Sequence, residues 1–197
     1  MAAHAKLVPY RMTVAEFLAW PGDDSGLKFE LVDGEPRAMD PASVTHGVIQ
    51  ANIGGLLRAH LTGTRCKAVA APGVVPRLRE NMNMRVPDIA VNCVPDEAGQ
   101  RALLDPVVII EILSPSNERE TRENVWAYPT IPSVREIVLV QSTSLTAEVL
   151  RRGPDGNWPG QPLIAGPNDE IVLESIDLRA PLREFYTDTY LTRPGHP

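Results

Sequence analysis

Pro87-Asp88-Ile89-Ala90-Val91 and Val107-Val108-Ile109-Ile110-Glu111 are two aliphatic runs that each carry one carboxylate at an edge. Short aliphatic runs of this kind are typical of neighbouring buried strands. Carboxylates held side by side on adjacent strands can bind Mg²⁺ or Mn²⁺, and a bound cation can polarise a phosphodiester and activate water. The two runs therefore predict a divalent-metal site at Asp88 and Glu111, which the backbone carbonyl of Ile112 would complete.

A purely structural explanation of the two carboxylates is also open. Asp88 would then end a loop, and Glu111 would cap a strand at the protein surface. Glu111, however, follows four consecutive aliphatic residues. A charge at the end of a buried strand needs a partner, which favours the metal site.

The order of predicted helices and strands on either side of these two runs indicates a mixed α/β (α+β) fold. Ser43 is the expected N-cap of a helix over 43–61, and Asp33-Gly34 is the expected turn of a hairpin whose second arm lies at an edge because it contains Pro36. Residues 94–105 are expected to form a polar loop, and residues 153–168 a hairpin tip or meander. The other predicted helices are 13–18, 117–128 and 182–191, and the other predicted strands are 65–70, 73–78, 84–86 with 88–92, 106–113, 136–140, 146–151 and 171–173.

Length and composition predict one domain over residues 1–197, with residues 1–11 as a flexible tail. The 197-residue chain is 43% hydrophobic and 22% charged, as is ordinary for a globular protein. It has no transmembrane-length apolar run and no signal-peptide pattern, so we expect no membrane span and a cytoplasmic location. The net charge of −6 argues against a large phosphate-binding surface without excluding a local one.

Common catalytic and metal motifs are absent from the sequence. We find no phosphate loop, no dinucleotide-binding glycine pattern, no nucleophile elbow and no zincin helix. Cys66 and Cys93 have neither CxxC nor zinc-type spacing, and we expect both to be reduced core residues.

Glu30 and His46 each have a structural and a functional explanation. Glu30 alternates with Phe29 and Leu31, so the strand pattern favours a solvated glutamate unless its face lines the same cleft as Asp88. His46 lies on or beside the apolar face of its predicted helix, where it could cap the helix, pack as a neutral ring or orient a metal-bound water. The helical spacing favours a packed, hydrogen-bonded histidine.

The predicted helix 117–128 carries arginines that could meet phosphate. Arg119 and Arg122 could equally pair with glutamates on the same helix, and the alternating charges favour this solvated arrangement. Trp126 and Tyr128 are expected to pack in the core rather than to stack on bases.

Taken in order, several segments resemble a bacterial restriction-endonuclease-like family, a domain of unknown function within the PD-(D/E)xK nuclease superfamily. The most specific pieces are Glu30-Leu31-Val32-Asp33-Gly34 and Glu111-Ile112-Leu113-Ser114-Pro115-Ser116. Together the matching pieces cover most of residues 12–151. The others are Met12-Thr13-Val14-Ala15-Glu16-Phe17-Leu18, Pro41-Ala42-Ser43 before His46, Val86-Pro87-Asp88-Ile89-Ala90-Val91, and Tyr128 before Ile131-Pro132-Ser133-Val134.

This resemblance implies a restriction-endonuclease-like core, with a mixed central sheet flanked by helices and an acidic cluster at one edge. It implies Asp88 and Glu111 as ligands of Mg²⁺ or Mn²⁺, with Glu30 and His46 near the same site. It also implies DNA as the partner molecule.

The chain departs from the family at the lysine of the E-x-K motif, because residue 113 is leucine. Relatives often carry a lysine in the following helix, and Asn124 falls at that position when the helices are aligned at Tyr128. Asparagine can orient a water but supplies no positive charge. The remaining basic candidates are Arg119 and Arg122, and Lys28 and Lys67 if the fold brings their strands to the site.

Two functions are compatible with these residues. The first is a Mg²⁺-dependent endonuclease that cleaves DNA. The second is a nuclease-fold protein that binds nucleic acid or a protein partner without cutting, which the acidic balance and Asn124 favour. A third explanation is a homodimer in which the carboxylates are structural. The catalytic candidates are Asp88, Glu111, Glu30, His46 and Asn124.

Overall fold

A six-stranded mixed sheet forms the centre of the computed structural model, which describes residues 11–115, 122, 125–193 and 195. Its α-helices are α1 (Val14–Ala19), α2 (Val44–Leu61) and α3 (Leu182–Phe185). Short 3-10 helices span Tyr128–Thr130, Glu174–Ile176 and Tyr190–Thr192. The strands are β1 (Phe29–Val32), β2 (Glu35–Ala38), β3 (Lys67–Ala70), β4 (Gly73–Val74), β5 (Ile89–Asn92), β6 (Ala102–Leu103), β7 (Pro106–Leu113), β8 (Glu136–Gln141), β9 (Ala147–Arg151), β10 (Leu163–Ala165), β11 (Glu170–Leu173) and β12 (Leu178–Pro181).

Strands β7 and β8 lie in the middle of the sheet, whose order is β10-β9-β8-β7-β5-β3. They run parallel to each other, whereas the other neighbouring strands of the sheet are antiparallel. β7 is aliphatic except for Pro106 and Glu111, as expected for a strand covered on both faces. Ile110 and Ile112 pack into one buried cluster, and Ile109 and Leu113 pack into another on the opposite face. The predicted strand 106–113 is confirmed.

Helix α2 covers one face of the sheet. Its Ile49, Ile53 and Leu57 are buried in the same cluster as Ile110 of β7. The Ser43 hydroxyl accepts a hydrogen bond from the backbone N–H of His46 at 3.2 Å, so the predicted N-cap is confirmed. Helix α2 therefore begins with His46 in its first turn.

The β1–β2 hairpin forms a separate two-stranded sheet. Asp33 and Gly34 have φ angles of 51° and 84°, the left-handed pair that a two-residue type I′ turn requires, so the predicted turn is confirmed. Leu31 exchanges two backbone hydrogen bonds with Met84, at 2.8 and 3.0 Å. This exchange ties the hairpin to the segment that leads into β5.

Several elements differ from the sequence prediction. The strand predicted over 73–78 is limited to β4, and the predicted loop 94–105 contains β6, which pairs with β4. The helix predicted over 182–191 stops at Phe185, and Asp188 has a left-handed φ of 64° that an α-helix does not contain. Strand β12, which pairs with β11, was not predicted.

Two predicted segments lie largely outside the described residues. The helix predicted over 117–128 is one, although Arg122 and Val125 are helical and Tyr128 begins a 3-10 helix. The tail predicted over 1–11 is the other. Among the residues that the structure describes, no helix is both long and apolar enough to cross a bilayer.

The prediction of two reduced cysteines is wrong, because Cys66 and Cys93 form a disulfide. β3 and β5 pair antiparallel with Lys67 opposite Asn92, so the next pair outward is Cys66 and Cys93. Strand register, which spacing motifs do not reveal, brings the two sulfur atoms together. The bond joins the edge strand β3 to its neighbour β5.

We expect replacement of both cysteines by serine to lower the free energy of unfolding by about 3 kcal/mol under non-reducing conditions, because the bridge restricts the unfolded chain. Urea titration of both proteins, with and without dithiothreitol, measures the difference. The reductant should bring the wild type to the stability of the variant and leave the variant unchanged. A wild type that is insensitive to reductant under unfolding conditions would contradict the bridge.

Candidate functional site

Asp88 and Glu111 meet at the point where β5 begins. The antiparallel register places Ile89 opposite Ile110, so the preceding residue Asp88 lies opposite Glu111. The backbone N–H of Asp88 donates a hydrogen bond to Glu111 Oε2 at 3.3 Å, and the N–H of Ile112 donates to Asp88 Oδ2 at 2.7 Å. The two predicted carboxylates are thus brought together, with the backbone of Ile112 beside them.

Helix α2 holds Asp88 from the other side. His46 Nε2 lies 2.8 Å from Asp88 Oδ1 and donates to it, and Gln50 Nε2 donates to the Asp88 carbonyl at 2.8 Å. His46 is buried, so the predicted packed and hydrogen-bonded histidine is confirmed. Because His46 and Gln50 are four residues apart, they lie on the same face of the helix. Asp88 is therefore fixed at both its carboxylate and its backbone.

Glu111 is a buried carboxylate inside a strand rather than a cap at the surface. Its side chain is 7% exposed, and the Tyr128 hydroxyl donates to Oε1 at 2.5 Å. Burial raises the pKa of Glu111 well above its ordinary range, and the neighbouring charge of Asp88 raises it further. The hydrogen bond from Tyr128 opposes this rise. Burial, followed by the charge of Glu111, raises the pKa of Tyr128.

Glu30 is buried, so its expected position as a solvated strand residue is wrong. It is 8% exposed, and Arg85 Nη1 lies 3.6 Å from Glu30 Oε1. The hairpin packs Leu31 into a cluster with Phe17 and Met84, and alternation along the strand turns Glu30 to the opposite face. The Arg85 guanidinium, itself buried, has two nitrogen atoms, Nε and Nη1, without a hydrogen-bond partner among the described residues.

Glu30, His46, Gln50, Asp88 and Glu111 line one cleft of about 410 Å³. The cleft lies between the start of β1, the first turns of α2 and the adjoining ends of β5 and β7. We call it the acidic cleft because four acidic residues line it, Glu30, Asp40, Asp88 and Glu111. Its charged and polar lining side chains include Lys28, Glu30, His46, Gln50, Asp88 and Glu111.

The other candidate site residues from the sequence that the structure describes do not line the acidic cleft. Asn124 lies outside the described residues. Leu113, at the lysine position of the E-x-K motif, is 1% exposed and packed in the core. Arg122 pairs with Glu148 on β9 at 2.6 Å, and Lys67 pairs with Asp96. Trp126 is 78% exposed, so its predicted burial is wrong, whereas the predicted burial of Tyr128 is confirmed.

The donor set is suited to a hard divalent cation. Each carboxylate oxygen of Asp88 and Glu111 accepts one hydrogen bond from the protein and keeps a further lone pair. Within the described ranges, no three His, Cys, Asp or Glu side chains form a metal-binding group. Mg²⁺ commonly takes one or two protein carboxylates and keeps several waters.

Three residues of the site were not assigned to it from the sequence. Gln50 could have been found from its spacing of four residues after His46 on one helix face. Arg85 and Tyr128 carry no such signal, because their contacts with Glu30 and Glu111 depend on tertiary packing.

Comparison with solved structures supports this architecture. The crystal structure of a putative nuclease belonging to DUF820 from Anabaena variabilis matches with a TM-score of 0.72 and 19% sequence identity, covering 89% of this chain and 97% of that one. This chain therefore shares the fold of that putative nuclease, and the predicted mixed α/β fold class is confirmed.

Two sequence comparisons define the family. The family model Uma2, described as "Putative restriction endonuclease", matches residues 14–182. The uncharacterized protein slr1290 of Synechocystis is 30% identical over 183 residues, which cover 90% of this chain and 93% of that protein. The chain belongs to the Uma2 family.

In metal-free buffer we expect Glu111→Gln to gain stability relative to the wild type as pH rises. The folded state of the wild type holds the Glu111 proton to a higher pH than the unfolded state, so its stability falls as pH rises from the ordinary glutamate range through the raised pKa. Within this window the free energies of unfolding should diverge by up to about 1.4 kcal/mol per pH unit. Denaturant titrations across pH measure the divergence.

Glu97→Gln, at an exposed loop glutamate, is the matched control for loss of one carboxylate. If the free energies of Glu111→Gln and of the wild type differ by the same amount at every pH, the raised pKa of Glu111 is wrong.

Proposed function

We propose that this protein is a nuclease that depends on Mg²⁺ or Mn²⁺ and hydrolyses phosphodiester bonds of DNA in the acidic cleft. The observation that carries the proposal is the convergence of Asp88 and Glu111 from adjacent strands, with a direct hydrogen bond between them. The family description, which names a restriction endonuclease, favours DNA over RNA as the substrate.

Asp88, Glu111 and the carbonyl of Ile112 would hold the cation. When bound, a divalent cation neutralises charge on the phosphate and makes water a stronger nucleophile. Burial, and then the neighbouring charge of Asp88, raise the pKa of Glu111, so a cation beside this carboxylate would stabilise its charged form. Occupation by a cation would relieve the repulsion between the two carboxylates.

The remaining side chains of the site act on these two carboxylates or on the charge around them. His46 and Gln50 fix the orientation of Asp88 from helix α2. Tyr128 fixes one oxygen of Glu111. Arg85 offsets the charge of Glu30 in the buried wall of the cleft. Such second-layer contacts keep ligands in place before the cation arrives.

Replacement of Asp88 by asparagine is expected to abolish binding of Mg²⁺ and Mn²⁺. Loss of a residue that only hydrogen-bonds to a metal ligand reduces activity roughly 10- to 100-fold, and we expect Asp88→Asn to reduce DNA cleavage by more than that. Asparagine has nearly the same shape but lacks the negative charge. Calorimetric titration with each metal and a plasmid-cleavage assay give the two readouts.

Asp96→Asn is the control, since Asp96 is exposed and pairs with Lys67 away from the cleft. Full cleavage by Asp88→Asn would exclude the proposed mechanism. Metal binding by the wild type without cleavage would instead support the second candidate function, a nuclease-fold protein that binds nucleic acid without cutting. The buried Leu113 at the usual lysine position favours that candidate.

A further inference from the structure

We propose that Lys28 contacts the scissile phosphate in the acidic cleft. This inference rests on the proposed function, because it assigns a residue to the substrate of that reaction. It is drawn from the position of Lys28 on the hairpin and from the charge balance of the cleft.

The hairpin ladder fixes where Lys28 points. The Lys28 carbonyl accepts a hydrogen bond from the Met39 N–H at 2.8 Å, so the ladder extends one residue beyond β1. Phe29 and Leu31 pack with the cluster around Phe17. Because successive side chains in a strand alternate, Lys28 shares the opposite face with Glu30. Both residues line the acidic cleft.

A phosphodiester can bind in the cleft only if a positive charge there offsets the carboxylates. Glu30, Asp40, Asp88 and Glu111 all carry carboxylates there, and these repel a phosphodiester at short range. Among the described residues that line the cleft, Lys28 is the one lysine or arginine. Its side chain is exposed and forms no ion pair within the described part of the chain.

Neither Arg85 nor Lys67 is placed to take this role. The Arg85 guanidinium is buried against Glu30 rather than exposed to the cleft. Lys67 pairs with Asp96 beyond the opposite end of β5 from Asp88. The long, flexible stem of Lys28 suits an ammonium that must reach a phosphate oxygen as a compact point charge.

The proposed contact is electrostatic. During hydrolysis the water oxygen forms a bond to phosphorus while the bond from phosphorus to the leaving sugar oxygen breaks. The water releases one proton to solvent and the leaving oxygen acquires one, so one water is consumed for each bond cleaved. Lys28 donates a hydrogen bond to a non-bridging oxygen and stabilises the negative charge that this oxygen carries in the transition state.

The test compares wild type, Lys28→Ala, Lys28→Arg and the matched control Lys67→Ala. Affinity for a fluorescein-labelled DNA duplex is measured by anisotropy over a range of salt concentrations with Ca²⁺, which takes the same oxygen ligands. Cleavage of the duplex is measured with Mg²⁺. Thermal melting checks that each variant is folded, which we expect because Lys28 is exposed.

Lys28→Ala should reduce the slope of log affinity against log salt by about 0.9, the value of one phosphate contact. It should also reduce kcat roughly 100-fold, as loss of one charge-stabilising donor does. Lys28→Arg should keep the slope and recover part of the turnover. Lys67→Ala should match the wild type in both measurements.

Four other outcomes would overturn the role of Lys28, the nuclease proposal or both. An unchanged slope and unchanged kcat in Lys28→Ala would overturn the role of Lys28 and leave the nuclease proposal intact. A reduced slope with unchanged kcat would place Lys28 on a flanking phosphate and overturn its contact with the scissile one. A wild type that binds DNA without cleaving it would overturn the hydrolysis, and with it the scissile contact. Absence of DNA binding by the wild type would overturn both proposals.

Discussion

Glu111 is a buried carboxylate within a central strand of the sheet, and the arrangement around it follows from that constraint. A buried charge is costly unless hydrogen bonds or an opposite charge compensate it. The structure supplies two donors, the Tyr128 hydroxyl and the Asp88 backbone, yet it places a second carboxylate beside the first. Two adjacent carboxylates remain poorly compensated by the protein alone. That imbalance is the physical reason to regard this end of the sheet as a functional site rather than as part of the framework.

The residues of the site differ in how many hydrogen bonds hold them and in how exposed they are. The Asp88 backbone is held by strand register and by α2, and its carboxylate by His46 and the N–H of Ile112. Glu30 is held by a hairpin that is itself tied to the chain through Leu31 and Met84. Lys28 lies at the outer end of that hairpin and is exposed. This difference suits the proposed roles. Metal ligands need a fixed geometry, whereas the ammonium group on the long stem of an exposed lysine can reach a phosphate oxygen.

Much of this fold could be predicted from the sequence, and the failures have common causes. The Ser43 cap, the Asp33-Gly34 turn and the aliphatic strand β7 follow from local chemistry, and the structure confirms them. The pairing of Cys66 with Cys93 depends on register between strands, which no local pattern encodes. The burial of Glu30 depends on which layer covers the second face of the hairpin. The contacts of Arg85 and Tyr128 likewise arise only when distant segments pack together.

The order of strands also bears on how the protein is made. Asp88 precedes Glu111 in the chain, and β7 obtains its second neighbour only when β8 has been synthesised. A nascent chain emerges from the ribosome N-terminus first. It therefore exposes the hairpin, α2 and Asp88 well before the central strand can be enclosed on both sides. Because β8 encloses the strand that carries Glu111, the proposed metal site would take its final form only after the chain has passed residue 141.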